Sequence, residues 1–281
     1  MRSVLITGCS SGVGAALAER CAKDGWATYG TVRKDADVAE LEARGANAVI
    51  CDVSDAAAVD AAVARIVEET GRIDAVVANA GVGYVRNVEQ APEAEIANLF
   101  DINVHGVVRC IRAVLPHMRK AGHGHVVAVS SVGGLVGQPF NELYCATKFA
   151  VEGLIEGLAS YVTPGFGVDF TSVEPGGIRS EFANTVLQKV GASGGILEDD
   201  YKPLIDAYLG GMGARGDGIY QTSEEVADVI ANVLGTDSPP LRLRTSEWSE
   251  HFTRFKTEAD PTGIKQRDES IRVMLGESYV P

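Results

Sequence analysis

Short apolar runs alternate with longer amphipathic stretches through the first two-thirds of the chain. The runs are Val4-Leu5-Ile6, Ala27 to Val32, Ala48 to Cys51, Ile73 to Ala78, Val126 to Val129 and Val168 to Val173. Each is β-branched or apolar along most of its length, as expected of strands buried on both faces of a parallel sheet. Between them the pattern predicts helices over Val13–Asp24, Asp55–Thr70 with Ser54 as N-cap, Glu93–Lys120 and Asn141–Val162. Strand–helix alternation implies right-handed crossovers and an α/β architecture, a doubly wound parallel sheet.

The pattern changes after Val173. Residues 181–220 carry eight glycines among scattered apolar positions, including Phe182, Val186, Leu187 and Tyr208. A segment this long is expected to be a functional lid, with a poorly ordered surface insertion as the alternative. A helix follows near Thr222–Leu234, then a strand near Leu241–Arg244. An extension over residues 241–281 completes the chain, and its Trp248, Phe252 and Phe255 recur at helical spacing. That stripe is expected to pack on the chain's own core. No internal repeat and no linker divides the chain, so one domain is expected over residues 1–281.

Composition narrows the partners. The net charge of −13 argues against a nucleic-acid backbone and against an anionic membrane surface, though a local pocket can still hold a small anionic cofactor. Cys9, Cys21, Cys51, Cys110 and Cys145 are scattered without C-x-x-C spacing, so neither a disulfide framework nor a metal site is signalled. No apolar stretch approaches the roughly 18 residues of a membrane span. No signal-peptide pattern opens the chain, and the cytoplasm is the expected compartment.

Thr7-Gly8-Cys9-Ser10-Ser11-Gly12-Val13-Gly14 joins the first strand to the first helix. Its G-x-x-x-G-x-G spacing suits a tight turn, a backbone close to a pyrophosphate and a helix N-terminus aimed at negative charge. The expected fold is therefore Rossmann-like. The second strand ends Thr31-Val32-Arg33-Lys34, with no acid until Asp35. An acid there would accept from a ribose 2′-hydroxyl; Arg33 would instead pair with a 2′-phosphate, to which Ser10 could also donate. NADP is thus expected over NAD, with a merely solvated Arg33 as the bland reading. Asp52, next to Val53, could bond an adenine amine or cap the following helix.

Tyr144-Cys145-Ala146-Thr147-Lys148 places a tyrosine and a lysine one turn apart on one helix face. A lysine cation favours the phenolate and brings the tyrosine toward use as a base. Cys145 lies about 100° around the helix from Tyr144 and is expected in the core. Cys9, if exposed at all, would be shielded from alkylation by bound cofactor.

The Thr7–Gly14 loop, Asp52, Asn79-Ala80-Gly81, Asn103, Ser131, Tyr144, Lys148 and Pro175-Gly176, in this order, resemble the short-chain dehydrogenase/reductase family over residues 3–235. The resemblance implies that Tyr144 is the general acid/base and that Lys148 holds the ribose while depressing the tyrosine pKa. It implies that Ser131 binds the reacting oxygen and that Asn103 anchors a water relaying protons to Lys148. Pro175, Gly176, Ile178 and Ser180 match the segment holding the nicotinamide carboxamide. Ala78 stands where the family commonly has an asparagine.

Ser131 to Phe149 looks most like the family's 17β-hydroxysteroid and retinol dehydrogenase branch, in which Ser131, Gln138, Asn141, Tyr144 and the apolar lid residues would face substrate. A histidine used by the steroid enzymes is missing: none occurs between His125 and His251, and Gly211 falls near its place. The resemblance implies interconversion of a secondary alcohol and a ketone on a small hydrophobic molecule, 17β-hydroxysteroids among the candidates, in a homodimer or homotetramer. A retinol, terpenoid or other lipophilic alcohol is the alternative, and a nucleotide-sensing protein without turnover the remote one.

Overall fold

The computed structural model describes residues 1–179 and 196–274. Seven strands pair in parallel throughout: β1 (Ser3–Ile6), β2 (Ala27–Val32), β3 (Asn47–Ile50), β4 (Ala75–Ala78), β5 (Gly124–Val129), β6 (Val168–Glu174) and β9 (Arg242–Arg244). Their order, β3-β2-β1-β4-β5-β6-β9, reverses direction between β1 and β4. That switch point opens the crevice in which doubly wound sheets bind ligands. A separate two-stranded pair joins β7 (Ile178–Arg179) to β8 (Gln221–Thr222).

Period-two alternation divides the core into two layers. Val4 and Ile6 of β1, with Ala75 and Val77 of β4, face α1 (Gly12–Lys23) and α8 (Ser223–Leu234). Leu5, Val76 and Ala78 face the opposite layer, built on α3 (Ala56–Thr70), α5 (Gly106–Ala121) and α6 (Glu142–Phe166). The remaining helices are α2 (Val38–Ala43), α4 (Glu93–Phe100), α7 (Lys202–Ile219), α9 (Glu247–Thr257) and α10 (Ile264–Met274). Among the described residues, no helix is long and apolar enough to cross a membrane.

Four local expectations need correction. The single helix expected over Glu93–Lys120 is two helices separated by a π turn at Asp101–His105. There the Gly106 amide reaches back to the carbonyl of Asp101, one residue further than an α-helix allows. Arg109 stabilises the turn, donating to the Asp101 carbonyl at 3.2 Å and to its carboxylate at 2.6 Å. The N-cap of α3 is Asp55, not Ser54: its carboxylate accepts from the amides of Ala57 and Ala58. Ser54 is already committed to Asp52 through its amide and hydroxyl, at 2.9 and 2.8 Å.

Part of the glycine-rich stretch is regular, since Lys202–Ile219 forms α7 with Pro203 in its first turn. The aromatic stripe of the tail is only partly packed. Trp248 stacks on Phe252 with centroids 4.8 Å apart, but Phe255 is 83% exposed beneath the Arg254 guanidinium. The buried line of α9 is Ser249, Thr253 and Thr257, about 100° around from the aromatic line.

Candidate active site

The glycine loop is locked by β1, β2 and β4 together. Thr7 Oγ1 accepts from the amides of Asn79 and Ala80, both at 3.0 Å, and the Asn79 side-chain amide donates to the carbonyls of Thr7 and Gly8. From the other side, Gly8 N donates to Thr31 Oγ1 at 3.0 Å and Cys9 N to the Thr31 carbonyl at 2.7 Å. Gly8 has φ +74°, and a Cβ on it would lie 2.9 Å from Ala80 Cα. A Cβ on Gly14 would meet Asn79 Nδ2 at 2.6 Å and come nearer still to the Gly8 carbonyl oxygen. Both positions therefore need glycine. Thr7 opens the motif read in the sequence; Thr31 gave no signal as a partner of the loop, because a β-branched residue in a strand looks merely structural.

The loop ends with Ser10 and Ser11 exposed, Gly12 half-buried and Val13 buried. Ser11 is the N-cap of α1 but makes no capping bond with its side chain, and the first turn of α1 carries no acid. The free amides and the positive helix end are thus available to an anion. Arg33 and Lys34 are exposed at the end of β2 and form no ion pair with described residues. Asp52 is half-buried, one carboxylate oxygen taken by Ser54. The Val53 carbonyl accepts from Arg109, and Val53 packs where a Cβ on Gly106 would lie 2.9 Å away. Cleft, open helix end and free cation together fit a nicotinamide dinucleotide.

Cys9 does not offer an exposed thiol. It is buried, its sulfur donates to the Ile6 carbonyl at 3.2 Å, and burial pushes the thiol pKa far up. Shielding of Cys9 by a nucleotide therefore has nothing to act on. Cys145 is buried in the core as expected, and no metal-binding cluster occurs among the described residues.

At the C-terminal end of β5, Ser130 and Ser131 face opposite ways. Ser131 caps a 3₁₀ turn at Val132–Gly134, its Oγ accepting from Gly133 N at 3.0 Å, and it hydrogen-bonds Tyr144. Tyr144 stands in the first turn of α6. Lys148, 5% exposed, donates to the Val129 carbonyl at 2.8 Å and lies 5.6 Å from the Tyr144 ring centroid. Burial raises the Tyr144 pKa to about 12, opposed by the Ser131 hydrogen bond. Burial likewise lowers that of Lys148 to about 8, opposed by the Glu152 carboxyl. The expected depression of the tyrosine is thus not a property of the chain alone, in which burial outweighs the Ser131 hydrogen bond and Tyr144 stays a phenol.

Asn103 sits within the π turn, almost wholly buried. Its Oδ1 accepts from Val82 N at 2.8 Å, while Nδ2 donates to the Val82 carbonyl at 2.9 Å and to Thr147 Oγ1 at 3.2 Å. Thr147 in turn donates to the Tyr144 carbonyl at 2.7 Å. This chain fastens the Asn79-Ala80-Gly81 segment to α6. Beyond β6, the Pro175 carbonyl accepts from Val132 N at 2.9 Å, and a Cβ on Gly176 would meet the Trp248 ring at 2.8 Å. Ile178 pairs with Gln221 across the small sheet.

An apolar cluster lies beside the start of α6. Val85, Phe140 and Ile205 are buried, with Tyr201, Tyr208 and Leu209 packed against them. The rings of Phe140 and Tyr208 are 5.9 Å apart. Phe140 has φ 56°, an uncommon conformation for a bulky residue, held by Arg86 N donating to its carbonyl at 2.8 Å. Gln138 and Asn141 flank it, half-buried, with the Asn141 amide nitrogen donating to the Gln138 carbonyl at 3.2 Å. Val85, Phe140 and Ile205 were not anticipated, being far apart in sequence and without polar signal. Ser180, Phe182, Val186 and Leu187 lie outside the described residues.

The short chain dehydrogenase family model matches residues 2–191. The chain belongs to that family. It is 37% identical to human (Homo sapiens) 17-beta-hydroxysteroid dehydrogenase type 1, covering 98% of this chain and 86% of that protein. Identity to retinol dehydrogenase 8 of Bos taurus is 36%, over 93% of this chain and 86% of the relative. Among solved structures, a short-chain dehydrogenase from Streptomyces avermitilis superposes with a TM-score of 0.76 at 31% identity, covering 97% of this chain and 98% of the other. As a short-chain dehydrogenase, the chain is an NAD(P)-dependent oxidoreductase of alcohols and ketones.

Proposed function

We propose that this short-chain dehydrogenase is NADP(H)-dependent and interconverts a secondary alcohol and a ketone on a hydrophobic molecule, with 17β-hydroxysteroids and their ketones as the leading class. The observation that carries this reading is the convergence of Ser131, Tyr144 and Lys148 beside the apolar Val85–Phe140–Tyr208 cluster. The steroid enzyme and retinol dehydrogenase 8 are the relatives that support the substrate class. Exposed Arg33, without an ion-pair partner among the described residues, supports the 2′-phosphate. When bound, the nicotinamide supplies or accepts the hydride.

Ser131 holds the reacting oxygen against Tyr144. In reduction the Tyr144 phenol donates its proton to that oxygen, and in oxidation the phenolate takes it back. Lys148 binds the ribose hydroxyls and favours the phenolate, and Asn103 anchors the water through which Lys148 exchanges protons. Of the stretch expected to cover the substrate, α7 is the described part. Exposed Phe149 and Tyr161 leave apolar surface on α6 that supports a homodimer or homotetramer contact along this helix, and a cytoplasmic location accords with the acidic, disulfide-free chain.

A second reading, a retinol or terpenoid alcohol dehydrogenase, is favoured by the lack of any histidine between His125 and His251. Oxidation of estradiol, retinol and monocyclic terpenols with NADP and with NAD tests both. Estradiol turnover with NADP preferred is the expected result, and Tyr144→Phe should then lower the rate by two or more powers of ten, about 3 kcal/mol. A Tyr144→Phe rate within about tenfold of the wild type overturns the role of Tyr144. An NAD preference of about tenfold overturns the cofactor assignment. Nucleotide binding without turnover of any substrate overturns the enzyme reading.

A further inference from the structure

A buried cluster of charge behind the site has no part in the steps above. Glu152 stands one turn beyond Lys148 on the same face of α6. On β6, Ser172 donates to Glu152 Oε1 at 2.6 Å, and Glu174, on the same strand face, brings a second buried carboxyl up to that of Glu152. Glu174 is wholly buried and directly precedes Pro175. Register pairs it with Arg244 on β9, which donates to Glu174 Oε2 at 3.2 Å and pairs with Glu250 on α9 at 2.9 Å. Arg242 adds positive charge facing both carboxyls. Ser130 and Gly134 close the remaining side: a Cβ on Gly134 would lie 2.7 Å from Ser130 Oγ and 2.9 Å from Glu152 Cγ.

Two neighbouring carboxyls in one buried site do not both ionise. Burial raises both; the Ser172 hydroxyl and the Arg242 charge favour the carboxylate of Glu152, while Arg244 divides its charge between Glu174 and Glu250. The pair therefore carries one negative charge. We propose that this pair is a positioning device for Lys148: acting through Glu152, it keeps a negative charge one helical turn behind the ammonium and so holds the lysine protonated while it binds cofactor. The proposal rests on the reading of Lys148 as the cofactor-holding cation. It explains why carboxyls are retained in a place where apolar residues would avoid their desolvation.

NADPH binding, followed by fluorescence from pH 6 to pH 10 or thereabouts, reads the charge on Lys148 directly and needs no substrate. Affinity should fall on the alkaline side as Lys148 loses its proton. Removing the anion disfavours the ammonium, so Glu152→Gln should move this limb to lower pH by about half a unit or more, while leaving affinity near pH 6 within about twofold. Glu174→Gln leaves the charge on Glu152 and should keep the limb in place or move it to higher pH. Glu152→Asp, which keeps the charge, should restore the wild-type limb.

A purely structural cluster would lower the melting temperature in both Gln variants and leave the limb unmoved, which overturns the proposal. If Glu152→Gln does not fold, a downward shift in Glu174→Gln or Glu152→Asp overturns it. Wild-type protein that binds NADPH without an alkaline limb also overturns it. Wild-type protein that binds neither NADPH nor NADH overturns instead the functional reading beneath it.

Discussion

Substituting Gly14 by alanine adds one methyl group where two backbones already touch. Its Cβ would lie 2.6 Å from Asn79 Nδ2 and 2.9 Å from the Gly8 carbonyl carbon, with the Gly8 oxygen closer still. Neither neighbour can yield cheaply. Asn79 is held by three bonds to Thr7 and Gly8, and Gly8 is tied to Thr31. Restoring ordinary contact requires a shift of roughly 1 Å between α1 and the loop, and overpacking of this kind costs typically 1–3 kcal/mol. At about 2 kcal/mol, the melting temperature of the cofactor-free protein should fall by about 4–8 °C.

The same shift moves the amides at the start of α1 away from the phosphates they would meet. NADPH affinity should therefore fall by about two powers of ten, a further ~2.7 kcal/mol. Calorimetry and fluorescence titration measure the two effects separately. Gly137→Ala is the control, because a Cβ there meets nothing within 4 Å. A Gly14→Ala protein that melts within about 1 °C of the wild type and binds NADPH equally well would refute the close-approach reasoning.

Two further outcomes follow from the same physics. Arg33→Ala should lower kcat/KM with NADP by about 10–100-fold while leaving NAD within about threefold, since a charge-assisted bond is worth about 1.5–3 kcal/mol; equal effects on both cofactors would remove Arg33 from the 2′-phosphate. His125 is buried, and burial lowers its pKa to about 4. Thr171 spends its own proton on the Pro240 carbonyl at 2.7 Å, so His125 Nε2–H donates to Thr171 Oγ1 at 2.9 Å. A folded pKa below the unfolded value of about 6.5 gives stability that is present above that pH and lost as pH falls toward 4, about 2 kcal/mol of it between pH 7 and 5. Urea melts should show His125→Gln losing that much less over the same interval, and an identical pH slope would contradict the assignment.

The strands and the Tyr144–Lys148 face were legible because each rests on a local period: residues at spacing two or four share a face whatever else the chain does. What escaped needs more than one segment. Ser54 and Asp55 are both good caps, and the choice fell to Asp55 only because Asp52 claims Ser54. The π turn adds one residue to a helix whose apolar spacing scarcely changes, yet it is what places Asn103 against Val82 and Thr147. Glu174 and Arg244 meet through parallel pairing of β6 with β9, about 70 positions away in sequence. No window along the chain contains that contact. The burial of Cys9 depended in the same way on the Thr31 strand closing over the loop.

The line of Ser249, Thr253 and Thr257 has a consequence for local unfolding. Thr253 and Thr257 give their hydroxyl protons to carbonyls of their own helix, at 2.8 and 3.3 Å, so they bring a buried methyl group each but no polar cross-link to the body of the protein. The aromatic and ionic links of α9 are the Trp248 ring over Gly176 and the Glu250–Arg244 pair. A helix whose buried face is made of serine and threonine has little apolar area to hold it and belongs toward the low-stability end of a fold, the part that opens first by sub-global fluctuation. Because its main foothold is the Pro175–Gly176 turn, opening of α9 uncovers that turn as well. The two behave as one cooperative unit, and the lifetime of the turn is set by a helix formed more than 70 residues later.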